Sequence, residues 1–482
     1  MLKLKDVIAQ MKEDQYEKLL SQLKGNSAEK FHSLATYLRD DKMDDEDIMG
    51  KLGVNTSAYY TLKSRLYKRV GEFLSAGLDG SKTDLLKKVA TIPDLVYNTK
   101  KETAVAVLGK LEKDLLTHDL PYELTDVYSA LKKLHITSPK YYDYAQAYNR
   151  HLGYTIALDK AEDVLSSFMK YLGEYDNSRN ADTHELMKMM KQEMASLCRL
   201  YQSHHLTVYR NILDVSFALF VPLSEAVKDD EPIEDILTAT EKIMDSYPAD
   251  SSYRYLQQVI AFLRFEYYHQ AMQHKKAEQY YDMVNSNLSM FLNFNFCCYS
   301  SVFFLSRIQR AIRLNETAAL SEENKELLKD FQPEKHDVPA YLNYVRYTAA
   351  SLFYAGKYAE AAAQLNNVLN EIVFKNMAHA EIEIKLFFVL CCSMQNKYDT
   401  AHTVLKNVAR KIRELENKHE YENANALIKM LSLQMDSGTG NKEKKMAEFR
   451  DKFLLLNRGR SNMLCYLDLS DNFLKKLGKN VK

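Results

Sequence analysis

Apolar residues recur at every third or fourth position along almost the whole chain, which is the period of an α-helix. Residues 340–370, AYLNYVRYTAASLFYAGKYAEAAAQLNNVLN, show this period with an interruption at Gly356. The same pattern follows in IKLFFVLCCSMQNKYDTAHTVLKNVARKI, with an interruption at Asn396. Each segment therefore predicts two helices joined by a tight turn.

The second helix of each hairpin carries a repeat-like pattern. G-x-Y-x-x-A-x-x-x-L-x-x-V, from Gly356 to Val368, is similar to the tetratricopeptide repeat, with an aromatic residue under the turn and a small residue where helices approach. The pattern positions are Gly356, Tyr358, Ala361 and Leu365 in one copy and Tyr398, Ala401 and Leu405 in the next. The two tyrosines are 40 residues apart, longer than the usual repeat of about 34.

Weaker copies precede these two. HKKAEQYYDMV has Ala277 and Tyr281 in register, and LDKAEDVLSSF has Ala161, Leu165 and Phe168. We interpret them as degenerate helical hairpins. An irregular helical bundle with chance local matches is the alternative interpretation.

Near the amino terminus, DDEDIMGKLGVNTSAYYTLKSRLYKRVGEFL predicts a different helical pair. Asp47–Leu52 would form a short helix, Gly53 the turn, and Thr56 or Ser57 the cap of a second helix ending at Leu74. The spacing is similar to that of helix-turn-helix units in LuxR-type and sigma-like transcription regulators.

The second helix of this pair would have two faces. The inward arc holds Tyr59, Leu62, Leu66, Val70 and Phe73, and the outward arc, a candidate contact with nucleic acid or a partner, holds Ser57, Thr61, Ser64, Arg65 and Lys68. The outward arc has two cations, and the nearby run DDKMDDED would repel a duplex. We therefore favour a protein-binding or structural role for this helix over DNA binding.

Composition agrees with a helical protein. The 482 residues include 14 Gly and 8 Pro, which is few for a chain rich in sheets and tight hairpins. Lys and Arg total 65, as do Asp and Glu, so the net charge is zero, whereas nucleic-acid binders usually carry a basic excess.

The sequence lacks common catalytic motifs, including G-x-G-x-x-G, G-x-x-x-x-G-K-[ST], G-x-S-x-G and H-E-x-x-H. E-x-x-H occurs at Glu29/His32, Glu266/His269 and Glu416/His419, but a di-iron bundle needs two such pairs facing two further glutamates. The neighbours His204 and His205 would not share a helix face. We expect no catalytic residue, no cofactor, no metal ligand and no enzymatic activity.

The six cysteines have no metal-binding spacing and are predicted to be reduced and buried: Cys198, Cys297, Cys298, Cys391, Cys392 and Cys465. The amino-terminal residues show neither an apolar signal core nor a cleavage site, and no window offers 18 uncharged apolar residues. We expect a cytoplasmic protein with no membrane partner.

The order of these features resembles a family of bacterial proteins of unknown activity. Its members combine an N-terminal helix-turn-helix-like unit with tetratricopeptide-repeat-like hairpins. The matching positions are Phe31, Leu34, Tyr37 and Leu38, then Lys63, Leu66, Tyr67, Val70, Phe73 and Leu74. The resemblance implies a fold and brings no activity with it.

The sequence thus predicts an all-α protein, a superhelix of degenerate tetratricopeptide-like hairpins behind an N-terminal helical unit. The predicted domains are residues 1–77, the repeats at 86–435 and a C-terminal helical cap at 446–482. The expected function is a non-enzymatic protein-protein interaction adaptor that binds a partner peptide or protein on the repeat surface. The alternative is a transcription regulator in which a helical-repeat sensor controls the N-terminal helix-turn-helix.

Overall fold

The computed structural model is helical and describes residues 4, 8, 11, 13–23, 28–39, 43–76, 81–221, 232–248, 250–293, 296–328, 331, 333–435, 442–457, 463–471, 473 and 477. Within these ranges no β-strand occurs, which confirms the predicted all-α class. None of the described helices has the length and the apolar content needed to cross a membrane.

The chain divides into two compact units, residues 1–148 and 149–482, which are described separately. The helices of the first unit are α1 (Glu13–Gln22), α2 (Ala28–Arg39), α3 (Asp45–Leu52), α4 (Thr56–Ala76), α5 (Ser81–Ala90), α6 (Ile92–Asn98), α7 (Lys101–Thr117) and α8 (Pro121–Leu134). The division falls within the long helix α9 (Lys140–Ser178). The predicted domain limits at residues 77, 86, 435 and 446 stay predictions.

The first unit has two separate apolar cores. One lies beneath α2, α3 and α4 and includes Leu34, Ile48, Tyr59 and Leu66. The other is formed by α5 to α8 and the start of α9, around Leu108. Helix α2 packs against both α3 and α4, so the predicted helical pair belongs to a three-helix arrangement.

The remaining helices lie in the second unit. They are α10 (Ala181–Leu200), α11 (His204–Phe220), α12 (Ile233–Ser246), α13 (Ser251–Gln270), α14 (His274–Asn285), α15 (Leu288–Asn293), α16 (Val302–Leu314), α17 (Leu320–Leu327), α18 (Val338–Tyr354), α19 (Tyr358–Glu371), α20 (Ala378–Met394), α21 (Tyr398–Glu414), α22 (Glu422–Met435) and α23 (Lys442–Leu456). One continuous apolar core runs through this unit.

From α18 onward, each helix packs against the next one along the chain. In addition, α20 packs against α18 on one side and α22 on the other. Helix α20 is consequently buried along most of its length, from Ala380 to Met394. The first helices of successive hairpins therefore form an inner layer, and α19 and α21 lie outside it with one buried stripe each.

Three hairpins share one turn geometry, in which a residue with positive φ ends the first helix. This residue is Gly356 (φ 76°), Asn396 (φ 60°) or Met272 (φ 58°). In each case the residue after this one donates its backbone amide to the carbonyl of the residue five positions before the donor. For example, the Lys357 amide donates to the Leu352 carbonyl at 2.9 Å. The predicted turns at Gly356 and Asn396 are confirmed, and the turn at Met272 shows that HKKAEQYYDMV begins the second helix of a third such hairpin.

The chain leaves the helical pattern after α23. Residues 463–470 form turns and irregular backbone, yet Met463, Leu464, Tyr466 and Leu469 are each 1% exposed or less. The predicted cap at 446–482 thus contains the end of α23 and a buried non-helical segment.

Candidate functional site

A cleft of about 780 Å³ opens in the second unit. Its walls come from α9, from the start of α10, from two segments near residues 300 and 338, and from residues 376–377 before α20. The lining residues are Ser166, Met169, Lys170, Gly173, Glu174 and Ser178 of α9, Asn180 and Thr183 at the start of α10, Cys298, Tyr299, Ser301, residues 336–340, Asn376 and Met377. Cavities of about 300–1,000 Å³ are typical of ligand-binding sites. We treat this cleft as the candidate functional site.

The cleft depends on a close approach between α9 and the start of α18. A Cβ atom on Gly173 would lie 2.9 Å from Cβ of Pro339 and 3.2 Å from the Tyr299 ring. Pro339 is tolerated there because the first helical turn has no intrahelical use for its missing amide hydrogen. Glycine on α9 and proline on α18 therefore fix the distance between the two walls.

Charged groups at the cleft are of both signs. Lys170 and Glu174 lie one turn apart on α9, with their charged atoms 4.0 Å from each other. The Asp337 carboxylate accepts a hydrogen bond from the Ala340 amide at 3.2 Å, so it caps α18 and offsets the positive end of that helix. The cleft is therefore suited to a ligand with little net charge.

Behind the cleft lies a buried polar network. The Asn343 amide nitrogen donates to the hydroxyl oxygens of Tyr299 at 2.8 Å and Ser301 at 3.1 Å, both of which line the cleft. Its carbonyl oxygen accepts from Arg346 at 2.9 Å. Arg346 also donates to Asn177 on α9 at 2.9 Å, and Asn177 in turn donates to the Gly173 carbonyl at 2.8 Å.

Arg346 ends this network at an ion pair with Glu383 on α20, where the atoms are 2.9 Å apart. Burial is the largest single influence on the pKa of Arg346 and would lower it. Glu383, the strongest of several nearby groups that favour the charged form, acts together with them to raise the pKa, so the guanidinium stays charged. Burial also raises the pKa of Tyr299, which keeps its hydroxyl protonated. The cleft wall is thus hydrogen-bonded to a buried ion pair behind it.

The thiol at the cleft is not activated. Burial raises the pKa of Cys298, which lines the cleft, to about 12, and it also raises the pKa of Cys297, Cys391 and Cys392. A protonated thiol is a poor nucleophile. The prediction that the cysteines are buried is confirmed for these four, whereas Cys198 and Cys465 are half-buried.

The amino-terminal helical pair has the predicted local geometry. Helix α3 ends at Leu52, Gly53 adopts φ 62°, and α4 begins at Thr56. The cap is Asn55, whose side chain accepts from the Ala58 amide at 2.9 Å. The expectation that Thr56 or Ser57 would cap this helix is therefore wrong, because Asn55 already occupies the capping position.

The two faces of α4 lie as predicted where the structure describes them. Tyr59, Leu66 and Val70 are buried and Leu62 is half-buried, whereas the Phe73 side chain lies outside the described part. The outward residues are all exposed: Ser57, Thr61, Ser64, Arg65 and Lys68. The sequence analysis missed Tyr60 and Tyr67, which expose 55% and 53% of their surface on the same face.

The repeat-defining residues lie at the contacts between helices. Ala361, Leu365, Ala401 and Leu405 are buried, and Tyr358 and Tyr398 are half-buried. The Tyr358 ring packs edge-on against Phe353 at 5.2 Å, directly under the turn formed by Gly356.

Of the E-x-x-H pairs noted in the sequence, Glu266 and His269 have ordinary hydrogen-bond partners. Glu266 accepts from Ser306 at 2.7 Å, and His269 lies 3.1 Å from Gln309. His204 and His205 stack with their ring centres 4.2 Å apart at the start of α11. The argument that these neighbours point apart is therefore wrong, since the first helical turn leaves room for both rings.

No family model matches the sequence, and neither the curated proteins nor the solved structures give a significant match. The resemblance to the bacterial family stays an interpretation of the sequence.

Proposed function

We propose that this protein is a non-enzymatic interaction adaptor whose cleft receives a segment of a partner protein. In this proposal the hairpins of the second unit stack as a tetratricopeptide-like superhelix, and the protein acts in the cytoplasm. The observation that carries the proposal is the cleft, which combines the volume of a binding site with a lining of side-chain amides, hydroxyls and apolar groups.

This lining favours a peptide over a charged metabolite. Asn376 and Asn180 provide side-chain amides at the rim, and hydroxyls come from Ser178 and Ser301. Amides and hydroxyls can pair with the N–H and C=O groups of a peptide backbone. Met169 and Met377 add flexible apolar surface, which suits varied side chains. A phosphorylated or strongly acidic ligand would instead need several unpaired cations.

The alternative function is a transcription regulator that binds DNA through α4. The helix, Gly53 turn and helix have the spacing that this role needs, and Arg65 and Lys68 are exposed. Against it stand the exposed acidic residues Asp44 and Asp47 at the neighbouring helix α3. Exposed Tyr60 and Tyr67 are residues that protein interfaces favour. We therefore rank DNA binding second.

Affinity capture from the native cell lysate, with and without nuclease, tests both functions. Ser166→Trp fills the cleft from α9, and Ser167→Trp adds the same side chain at the adjacent, half-buried position that does not line the cleft. Arg65→Glu with Lys68→Glu reverses the charge of the outward face of α4. Unchanged circular dichroism of each variant confirms that it folds.

The adaptor proposal expects a stoichiometric protein that survives nuclease, is retained by Ser167→Trp and is lost with Ser166→Trp. DNA or RNA polymerase that disappears with nuclease, and with the Arg65 and Lys68 reversal, would establish the regulator instead. A partner captured equally by both tryptophan variants would show that the cleft is not the binding site.

A further inference from the structure

The buried segment that follows α23 is held by side chains of four helices, α16, α18, α20 and α23. We call residues 463–471 the latch. The Leu464 amide donates to the Glu383 carboxylate at 2.8 Å, and the Asp468 amide donates to the Tyr354 hydroxyl oxygen at 2.7 Å. Tyr354 in turn donates to the Tyr466 carbonyl at 3.2 Å. The latch backbone is thus fixed to α18 and α20. Gln309 of α16 also donates to the Cys465 carbonyl at 3.4 Å, and Asn457 donates to the Met463 carbonyl at 2.7 Å.

The latch covers an apolar surface of α18 and α20. The Tyr466 ring lies 5.8 Å from Phe387 on α20, and Phe473, just beyond the latch, lies 6.1 Å from Phe353 on α18. Removing the latch would uncover the side of Phe387 that Tyr466 covers, and removing Phe473 with it would do the same for Phe353. Exposed aromatic groups of this kind are common anchors at protein interfaces.

Closing the latch has an opposing cost. Leu464 adopts φ 58°, in the left-handed region that side chains other than glycine and asparagine disfavour. The strained residue is the one whose amide binds Glu383. The hydrogen bond and the burial of Leu464 therefore maintain a conformation that the free chain would leave.

The Glu383 carboxylate joins the latch to the cleft. One oxygen accepts from Leu464, and the other pairs with Arg346. Arg346 donates to Asn343, whose amide donates to the cleft hydroxyls of Tyr299 and Ser301. An unbroken chain of polar contacts thus runs from the cleft wall to the latch backbone. Groups in such a network polarise and orient one another, so a change at one end alters the other.

We infer that the latch opens as a unit while the rest of the second unit stays folded, and that the cleft wall controls how readily it opens. This inference rests on the proposed function, because a peptide in the cleft would be the natural signal. A partner that hydrogen-bonds to the Tyr299 or Ser301 hydroxyl competes with the Asn343 amide for that hydroxyl. Asn343 is then held less firmly, and its hydrogen bond from Arg346 weakens. Glu383 is then less well placed to hold Leu464, and the latch opens more readily.

The cysteines provide a test that needs no partner. Cys465 lies half-buried on the latch, whereas Cys391 and Cys392 are buried in α20. Brief iodoacetamide labelling of the full chain, read by peptide mass spectrometry, compares latch opening with wider unfolding.

Three variants probe the two ends of the network. Tyr354→Phe removes both latch contacts of the hydroxyl, and Tyr299→Phe with Ser301→Ala removes both acceptors of Asn343. Tyr344→Phe, on the same helix as Tyr354, is the matched control, because the structure places its ring against Phe304 and Phe331.

Loss of one net hydrogen bond changes an opening equilibrium about fivefold. We expect Cys465 to label about fivefold faster in Tyr354→Phe and also faster in the Tyr299 and Ser301 variant. The Cys391 and Cys392 rates and the Tyr344→Phe protein should match the wild type. An unchanged Cys465 rate in Tyr354→Phe, or equal acceleration of all three cysteines, would show that no independent latch exists.

If Cys465 labelled faster in Tyr354→Phe but at the wild-type rate in the Tyr299 and Ser301 variant, the inference that the cleft wall governs latch opening would be wrong. These outcomes do not depend on partner capture. Failure of the adaptor proposal, which is judged by the tryptophan variants at Ser166 and Ser167, is therefore distinguishable from failure of the latch.

Discussion

The guanidinium of Arg346 lies 2.9 Å from the carboxylate of Glu383, and the two side chains expose only 3% and 7% of their surface. Such a pair does not by itself add much stability, because both charges lose their hydration on folding. Its importance lies in its dependence on both partners, since either group alone would be a buried, uncompensated charge. The pair also connects the two ends of the network described above.

Arg346→Met should lower the free energy of unfolding by about 3–5 kcal/mol, because it leaves Glu383 buried without its counter-ion. Urea denaturation followed by circular dichroism measures the change. Lys325→Met breaks the exposed pair of Lys325 and Glu322 and should cost about 1 kcal/mol or less. Adding Glu383→Leu to Arg346→Met should recover part of the loss. Similar costs for Arg346→Met and Lys325→Met would contradict the buried-charge argument.

Gly173 and Gly109 predict opposite effects of the same substitution. Gly173→Ala would place a methyl group 2.9 Å from Pro339 and should destabilise by about 1–3 kcal/mol, as overpacking does. Gly109 lies within α7 with nothing within 4 Å of the added atom, so Gly109→Ala should stabilise by up to about 1 kcal/mol through helix propensity. Thermal unfolding of both variants checks the signs. Stabilisation by Gly173→Ala would mean that α9 and α18 are not held in close contact.

Substitutions at the positive-φ residue of the three matching turns should change the free energy of unfolding by different amounts. Gly356→Ala introduces a side chain at φ 76° and should lower the free energy of unfolding by about 1–2 kcal/mol. Met272→Gly removes a side chain from φ 58° and should stabilise by about 1 kcal/mol, because the Met272 side chain is 73% exposed and little packing is lost. Asn396→Gly should change stability least, since asparagine tolerates this conformation. Chemical denaturation of the three variants gives the order, and a stabilising Gly356→Ala would exclude the left-handed turn.

The hairpin turns were predictable because their signal is local. Gly356 and Asn396 each interrupt a helical period, and each is followed five residues later by an alanine. Glycine or asparagine just after a helical period is a local signal for the end of a helix. Met272 was missed, because methionine gives no such signal and adopts positive φ only where the flanking helices impose it. The exposed arc of α4 followed from helical periodicity in the same way.

The cleft and its network were not predictable from local patterns. Asn177 and Arg346 are 169 positions apart and meet only after α9 and α18 pack. One indirect sign was present, since Asn343 and Arg346 interrupt a mainly apolar helix. Burial of polar residues requires partners, but the pattern does not say which ones. The latch was missed because its buried positions follow neither the helical nor the strand period.

His269 should contribute to the pH dependence of stability, together with His379, whose pKa burial also lowers. Desolvation is the main cause that lowers the pKa of His269, so the folded protein holds the ring neutral at pH values where the unfolded chain is protonated. The unfolded state then binds the additional proton, and stability falls as the pH drops below about 6.5. The slope attributable to this residue is at most about 1.4 kcal/mol per pH unit.

Urea denaturation between pH 7.5 and pH 5, values chosen to bracket about 6.5, measures this slope in the wild type and in His269→Gln. The substitution should flatten the decline, because it removes the group that the unfolded chain protonates. His402→Gln changes an exposed histidine on α21 and serves as the control, with the wild-type profile expected. If His269→Gln retained the full decline, the acid sensitivity would have to come from other groups, and the His269 ring would not be held neutral by burial against Phe265 and Gln309.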